Sequence, residues 1–341
     1  MAQPRRVKID ILAAPGSIGS VIYGLYDVLS MPGTAWPRLV AGGPADPLAE
    51  IRIVAASKRP FACRGGVPVR PHASIAHATE ADVICVPSMS LPVDQPPYGC
   101  CPREVAWLRE GFSRGATIAT VCSGALLAAE AGLLNGYEAT THWAYADVFR
   151  RYYPQVKFRP ERTLTFAGEG NRLILAGGGA NWQDLAVHII ARFFGVEHAA
   201  QIAKVHVFSD HAQGQLPYAI MSRRIQKDDP VIGRCQVWIA ENYAAAHPVT
   251  QALQLSGLPQ RTFNRRFETA TGYRPMEYVQ AVRIEEAKQL LETTCKPIDE
   301  IAQEVGYQDP RPFSRLFSRK AGLSPASYRK RFGYRTLLSA Q

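Results

Sequence analysis

The chain has 341 residues, 47% of them hydrophobic and 20% charged, which is typical of a globular protein with room for two domains. Its formal net charge is +10, and residues 201–341 carry +7 of it, with 20 basic against 13 acidic residues, so a polyanion is the expected partner of the C-terminal part. Seven irregularly spaced cysteines argue against a disulfide framework, and no segment has the pattern of a metal site, a signal peptide or a membrane span. We therefore expect a cytoplasmic protein without a membrane partner.

Strand-like and helix-like segments alternate over the first 195 residues. Short apolar runs rich in β-branched residues predict strands at 7–14, 51–56, 82–87, 116–121 and 172–176. Helix-like stretches lie between or after them, at 20–29, 103–114, 124–131 and 182–194. This alternation predicts an α/β doubly wound, mostly parallel sheet with helices on both faces. In such sheets ligands bind at the carboxyl ends of the strands.

Cys122 lies at one of those carboxyl ends. The predicted strand 116–121 runs directly into Cys122, Ser123 and Gly124, and a helix follows at once. This pattern predicts a sharp strand-to-helix turn that exposes the thiol, as in a nucleophile elbow, with a thiol pKa lowered by the helix N-terminus. His142 is a conceivable base for such a thiol. The alternative, which we favour, gives both side chains structural roles.

The C-terminal part contains one motif twice, 50 residues apart. Seven of 18 positions are identical between the copies, and they pair as Arg261/Arg311, Phe263/Phe313, Arg265/Arg315, Phe267/Phe317, Gly272/Gly322, Pro275/Pro325 and Tyr278/Tyr328. An internal repeat of this kind indicates two copies of one structural unit. The phenylalanines share one helix face by their spacing and are assigned to the core, whereas the arginines lie on another face.

Each copy has the pattern of a short helix, a turn at Gly257 or Gly306, and a second helix that ends at Gly272 or Gly322. An ordinary helical hairpin with solvated arginines would give the same pattern. Two copies that are both basic in the second helix favour a helix-turn-helix instead. Between residues 309 and 335 there are eight Arg or Lys and one Asp, which is a charge footprint typical of nucleic-acid binding.

Residues 257–278, 298–307 and 313–332 resemble the AraC/XylS DNA-binding domain, in which a long helix, here predicted at 275–292, joins two helix-turn-helix units. Residues 120–136, 139–143 and 179–195 resemble the PfpI-type, class I glutamine amidotransferase-like domain. Together they resemble the GlxA-like transcription regulators. The resemblance implies a ligand-sensing and dimerisation domain at 1–197, a linker at 198–229 and a double helix-turn-helix domain at 230–335.

On this basis double-stranded DNA at promoters is the expected partner. The outward positions of the two second helices are the predicted base-edge contacts, namely Gln260, Arg261, Asn264, Arg265, Arg311, Ser314, Arg315 and Arg319. Arg266 and Lys320, with Arg329 and Lys330, are expected to contact phosphate.

Enzymes of the PfpI-type superfamily pair the elbow cysteine with an acid from the loop after the first strand. Residues 15–24 of this chain contain no Asp or Glu, and Asp27 falls in the following helix. We therefore expect a binding pocket, not a catalytic site. The predicted ligand-binding residues are Cys122, Ser123, Gly124, His142 and Trp143. The resemblance implies a small nitrogenous metabolite as effector. Trp143 and Trp182 would offer it an aromatic face, and the alternative is that both tryptophans belong to the core.

The sequence therefore predicts a DNA-binding transcription regulator that acts as a homodimer and needs no cofactor. The resemblance implies that it is an activator and that it contacts RNA polymerase. One alternative is a cysteine-dependent hydrolase or hydratase that acts through Cys122, with a fused DNA-binding domain. A third interpretation reduces the N-terminal domain to a dimerisation module with a closed pocket.

Overall fold

The computed structural model describes residues 5–41, 43–93, 98–208, 214–221 and 228–333. The chain forms two compact units, Met1–Gln215 and Leu216–Gln341. Residues 1–4, 42, 94–97, 209–213, 222–227 and 334–335, which belong to the predicted domains and linker, lie outside the described residues.

A central sheet organises the first unit. The strands of this unit are β1 (Val7–Leu12), β2 (Ala49–Ala55), β3 (Phe61–Ala62), β4 (Pro68–Val69), β5 (Ala73–Ser74), β6 (Val83–Val86), β7 (Thr117–Val121), β8 (Glu138–Ala139), β9 (Lys157–Phe158), β10 (Leu164–Ala167) and β11 (Leu173–Ala176). Seven of them form one sheet in the order β10-β11-β7-β6-β1-β2-β5, and every neighbouring pair is parallel except β10 with β11. The predicted mostly parallel sheet is confirmed.

Helices cover both faces of this sheet. They are α1 (Gly19–Leu29), α2 (Pro102–Ser113), α3 (Ala125–Glu130), α4 (Ala146–Tyr152), α5 (Trp182–Phe194) and α6 (Val196–His206). Helices α1, α5 and α6 bury their apolar residues with Ile9 and Ile11 of β1, whereas α2, α3 and α4 pack with Leu12 on the other side. Because side chains alternate along a strand, one strand supplies both cores. The predicted two-faced arrangement is therefore observed.

The first unit extends beyond the boundary predicted at residue 197. Helix α6 begins at Val196, and Ala199 and Ile202 are buried in the same core as α1 and α5. Gln215 is also buried, and its Nε2 donates to the carbonyl oxygens of Thr141 (3.1 Å) and Arg162 (2.8 Å). The predicted linker 198–229 is thus partly helical. Its short amphipathic pattern was too weak to separate a helix from a connection.

The second unit is helical in its described part. Its helices are α7 (Pro230–Glu241), α8 (Pro248–Ser256), α9 (Gln260–Thr271), α10 (Pro275–Thr293), α11 (Ile298–Glu304), α12 (Pro310–Ala321) and α13 (Pro325–Phe332). Helices α8 and α9 form the first helix-turn-helix copy, α11 and α12 form the second, and α10 contributes to the cores of both. Across the described residues of both units, no helix combines the length and apolarity needed to cross a membrane.

The sequence repeat is a repeat of core geometry. Each copy buries two phenylalanines and one tyrosine, namely Phe263, Phe267 and Tyr278 in the first copy and Phe313, Phe317 and Tyr328 in the second. The two phenylalanine ring centroids are 5.5 Å apart in the first copy and 5.7 Å in the second, and the tyrosine lies edge-on at 5.4 Å in both. The assignment of the phenylalanines to the core agrees with this packing.

Arg283 of α10 joins the loop after α7 to the turn of the second copy. Its Nε donates to the carbonyl oxygen of Tyr243 (2.8 Å), and its terminal nitrogens donate to those of Ala245 (3.0 Å) and Gly306 (3.0 Å). The guanidinium also lies over the ring of Tyr307, 5.1 Å from its centroid. One planar guanidinium thereby satisfies three carbonyls at once, each from a different nitrogen.

Candidate functional site

The outward face of α9 presents the first set of predicted DNA contacts. Gln260, Arg261, Asn264 and Arg265 are exposed, whereas Phe263 of the same helix is buried. Neither arginine side chain has an ion-pair or hydrogen-bond partner among the described residues. The guanidinium groups are therefore available to an external acceptor, and the asparagine amide lies on the same exposed side.

Helix α12 presents the second set. Arg311, Arg315 and Arg319 are exposed and have no carboxylate partner within the part of the chain that the structure describes, whereas Ser314 and Lys320 are half-buried. The side chain of Asp309 caps this helix by accepting the backbone N–H of Arg311 at 2.9 Å. In α9 the cap position is Pro259, which has no side-chain acceptor. The two helices therefore begin differently, one with a side-chain cap and one without.

Arg266 requires a correction. It was predicted to contact phosphate, but its Nε and Nη2 donate to the two carboxylate oxygens of Asp229 at 2.9 and 2.7 Å. Asp229 in turn caps α7, because its side chain accepts the backbone N–H of Ile232. The hydrogen bonds from Arg266 lower the pKa of Asp229. Arg266 therefore ties α9 to α7, a pairing across 37 residues that helix spacing could not reveal.

Cys122 lies at a sharp turn after β7, as predicted, but it is half-buried and not exposed. Cys122 follows β7 with φ of 53°, in the left-handed region that non-glycine residues rarely adopt. Gly124 is required here, because a Cβ would lie 2.4 Å from the carbonyl oxygen of Val86. The hydroxyl of Ser123 donates to the carbonyl oxygen of Met89 (2.6 Å) and accepts its N–H (2.8 Å). These contacts hold the loop after β6 against the elbow.

The expected activation of the thiol is not observed. Burial raises the pKa of Cys122, and the backbone N–H groups of Ser123 and His142 oppose that effect without overcoming it. The prediction of a lowered pKa was wrong because burial of the thiol outweighs the hydrogen bonds that favour the thiolate. The thiol is therefore neutral near pH 7.

His142 is not positioned as a strong base. Burial lowers its pKa, and its Nδ1 accepts the backbone N–H of Ala144 at 3.2 Å. The hydroxyl of Thr141 donates to the carbonyl oxygen of Cys122, which fixes the loop that carries His142 beside the elbow. These contacts fit the structural interpretation of both Cys122 and His142.

A cavity of about 600 Å³ opens above this turn, and we call it the elbow cavity. Its lining residues come from loops at the carboxyl edge of the sheet and from the adjoining helices, and they are Ile18, Ser20, Val21, Arg64, Ser88, Met89, Ser90, Leu91, Val93, Cys122, Ser123, His142, Ala144, Tyr145, Gly179, Ala180 and Trp182. Its volume lies in the range of small-molecule sites.

The predicted ligand residues divide into two groups. Cys122, Ser123 and His142 line the elbow cavity, whereas Gly124 and Trp143 do not. Gly124 permits the close approach of two backbone segments. The ring of Trp143 lies against that of His142, with centroids 4.8 Å apart. The prediction for these two residues is corrected accordingly.

Acids are missing from the elbow cavity in the described structure. Ile18 stands in the loop after β1 where the superfamily's acid was sought, and none of the described lining residues is Asp or Glu. Asp27 is exposed on α1 and does not line the cavity. Within the described ranges, no group of three or more His, Cys, Asp or Glu is placed to hold a metal ion.

Several residues that line the elbow cavity were not predicted from the sequence. Residues 88–91 lie in the loop after β6, and Gly179 lies in the turn between β11 and α5, so the rule about carboxyl ends of strands pointed to both segments. Arg64 and Tyr145 carried no such signal. Arg64 belongs to the β3–β4 hairpin, which reaches the cavity only through the folded arrangement of the unit.

Two family models match the chain. Residues 254–331 match a helix-turn-helix domain of the AraC type, and residues 43–191 match the DJ-1/PfpI family. The HTH-type transcriptional regulator CdhR of Pseudomonas aeruginosa is 26% identical over 288 residues, which are 81% of this chain and 80% of that protein. The HTH-type transcriptional regulator GlxA of Rhizobium meliloti is 27% identical over 229 residues, 66% of this chain and 69% of that protein.

The chain is an AraC-type helix-turn-helix transcription regulator with a DJ-1/PfpI domain. Its relatives are named as regulators, so the predicted grouping with DNA-binding proteins, and not with enzymes, is confirmed. A crystal structure from Vibrio parahaemolyticus matches the regulator with a TM-score of 0.50 and 20% identity, and covers 59% of this chain and 99% of that chain. This likeness supports the fold alone.

Proposed function

We propose that the regulator binds promoter DNA through both recognition helices, α9 and α12, and that a small metabolite in the elbow cavity changes the affinity. The first part rests on exposed arginines that have no side-chain partner among the described residues, Arg261 and Arg265 on α9 and Arg311 and Arg315 on α12. An arginine can donate two hydrogen bonds to guanine O6 and N7 in the major groove. Lys320 and Lys330 would add phosphate contacts, which give affinity without sequence information.

The two recognition helices would enter major-groove segments about one helical turn, ~34 Å, apart. Asn264 on α9 is suited to adenine, because its amide can pair with N6 and N7. Its counterpart on α12 is Ser314, which makes a less specific donor and acceptor. The first copy would therefore recognise both guanine and adenine, whereas the second would lack the specific adenine contact.

The effector is proposed to bind in the elbow cavity as a small nitrogenous metabolite. Support comes from the cavity volume of about 600 Å³ and from Trp182, whose ring lines it and would attract a cationic nitrogen. The effector changes DNA affinity only if it binds the DNA-competent arrangement of the regulator with a different affinity from the others.

We further propose that the regulator acts in the cytoplasm as a homodimer and activates transcription through contact with RNA polymerase. Two linked DNA-binding units on paired half-sites gain affinity from their high effective concentration. Activation follows from the resemblance to GlxA-like regulators.

The test is a comparison of two DNAs across a salt series. Purified full-length regulator is titrated against the DNA upstream of its own coding sequence and against a random duplex of equal length. We expect the upstream DNA to bind about 10³-fold or more tightly than random DNA. Equal affinities with the same steep salt dependence would reduce the interaction to charge alone and overturn the proposal.

A matched pair of variants separates base reading from net charge. Arg315→Ala should lower the affinity for upstream DNA much more than the affinity for random DNA. Arg103→Ala, which removes the same charge from an exposed position on α2, should leave the ratio unchanged. If Arg315→Ala lowers the affinity for both DNAs equally, Arg315 is a phosphate contact.

A further inference from the structure

The charge of the elbow cavity is unbalanced. Its ionisable lining residues are Arg64, Cys122, His142 and Tyr145, and no Asp or Glu occurs among the described residues of the lining. Arg64 is a permanent cation, because a guanidinium does not lose its proton in proteins. The described lining therefore offers a positive charge with no carboxylate to balance it.

The other three groups are neutral near pH 7. Burial raises the pKa of the Cys122 thiol and that of the Tyr145 phenol, so both keep their protons. Burial lowers the pKa of His142, so the imidazole is uncharged. Arg64 is thus the charged side chain among the described lining residues.

Arg64 is held at the cavity by its backbone and is free in its side chain. Its N–H donates to the carbonyl oxygen of Ser17 at 3.0 Å, which fixes the β3–β4 hairpin beside the loop after β1. Its guanidinium has no hydrogen bond or ion pair with any described residue. A planar fork of donors is therefore available, and this geometry matches the two oxygens of a carboxylate.

A second element with positive character borders the same cavity. Gly179 and Ala180 line it and lead into Trp182, the first residue of the 13-residue helix α5. Backbone N–H groups at a helix start favour an anion. Asp184 in the first turn accepts a hydrogen bond from Asn181 at 2.9 Å and does not line the cavity.

We propose that the effector carries a carboxylate and that Arg64 binds this group in the elbow cavity. A purely cationic metabolite would meet Arg64 with no acid among the described lining residues to offset the repulsion, whereas a carboxylate, alone or in a zwitterion, is attracted. The proposal rests on the proposed effector function and specifies its ligand class.

Cys122 reports on occupancy without knowledge of the natural effector. Full-length regulator is treated with iodoacetamide, an uncharged reagent, and the labelling rate of the Cys122 peptide is measured by mass spectrometry. The probes are propionate, propylamine and β-alanine, which share a three-carbon chain and carry a carboxylate, an ammonium group or both. We expect propionate and β-alanine to slow labelling several-fold and propylamine to have no effect.

Variants assign the effect to Arg64. Arg64→Ala should remove protection by propionate, Arg64→Lys should retain part of it, and Arg59→Ala, an exposed neighbour outside the cavity lining, should behave as the parent does. With the anionic reagent iodoacetate, Arg64→Ala should also lower the labelling rate relative to iodoacetamide by about three-fold at low salt. Arg64 is exposed, so thermal unfolding of these variants should match that of the parent.

Three outcomes would overturn the carboxylate proposal: no protection by either carboxylate, equal protection by propylamine, or unchanged protection in Arg64→Ala. DNA affinity is measured on the same samples. Loss of specific DNA binding with intact carboxylate protection would contradict the proposed function of DNA recognition, and the reverse result would contradict only the ligand class.

Discussion

The two helix-turn-helix copies have cores of the same design and surfaces that differ. Both bury the same aromatic trio with ring separations that agree within 0.2 Å, from 5.5 to 5.7 Å for the phenylalanine pair. Helix α9 contains three Arg and one Glu, whereas α12 contains three Arg and one Lys without an acid. One arginine of α9, Arg266, is also paired with Asp229, whereas its counterpart on α12 is the buried Leu316.

The difference continues beyond the recognition helices. After the conserved tyrosine of the repeat, α13 carries Arg329, Lys330 and Arg331, whereas the equivalent positions 279–281 of α10 are uncharged. Duplication thus preserved the packing that sets the shape of each copy, while the charge came to differ. We infer that both copies position a helix in the groove and that the second supplies more of the phosphate attraction.

The largest effects should follow removal of the shared core. Phe267→Ala and Phe317→Ala should each lower the free energy of unfolding by about 3–5 kcal/mol, because each leaves a cavity in a fully buried aromatic cluster. Urea denaturation measures both, with the exposed Thr269→Ala as control. A small loss in only one copy would show that the two cores are not equivalent.

The two copies should recognise different base positions, and the free-energy cost of losing one base contact should be similar in both. Arg265→Ala and Arg315→Ala should each cost about 1–3 kcal/mol of binding free energy for the preferred base at a single position. A binding assay with every single-base variant of the upstream site measures this. An effect of both substitutions at the same base position would contradict separate base contacts by the two helices.

The copies should differ in salt dependence. Lys320→Ala should reduce the slope of log affinity against log salt by about 1, and Ala270→Lys, the equivalent position in the first copy, should increase it by a similar amount. Random DNA is the suitable probe, since phosphate contacts do not depend on sequence. Unchanged slopes would remove Lys320 from the interface.

The helix starts should differ in their response to truncation. Asp309→Ala should lower the unfolding free energy by about 1 kcal/mol, because it removes the acceptor for the Arg311 N–H. Pro259→Ala at the start of α9 removes no side-chain cap and should have a smaller effect. Thermal unfolding compares them directly, and equal losses would contradict the capping difference.

A smaller effect should depend on pH. The pKa of Asp229 is lowered in the folded state by its hydrogen bonds from Arg266, so the stabilisation is present above the usual carboxyl pKa of about 3.9 and is lost as pH falls through the lower folded value. Arg266→Ala should therefore lower stability at pH 7 and reduce its decline in acid. If the acid profile is unchanged, the Asp229–Arg266 pair contributes nothing to it.

Local patterns predicted the parts of this fold that depend on neighbours in sequence. The repeat located both helix-turn-helix units, and the carboxyl end of the strand at 116–121 led to the elbow at Cys122. Each of these features is set within a few residues by spacing, capping or turn geometry.

The features that the sequence did not reveal depend on long-range contacts. Arg266 meets Asp229 only because α9 packs near the start of α7. Arg64 reaches the elbow cavity through a hairpin pinned to the loop after β1, and burial by the whole unit reverses the expected pKa shift of Cys122. Such contacts become visible only in the folded chain.

The most direct test of two-helix recognition is a hydroxyl-radical footprint of the regulator on its upstream site. The account predicts two protected segments about one helical turn, ~10 base pairs, apart. Arg265→Ala should weaken protection in one segment and Arg315→Ala in the other. A single protected segment that is insensitive to Arg265→Ala would contradict DNA recognition by both copies.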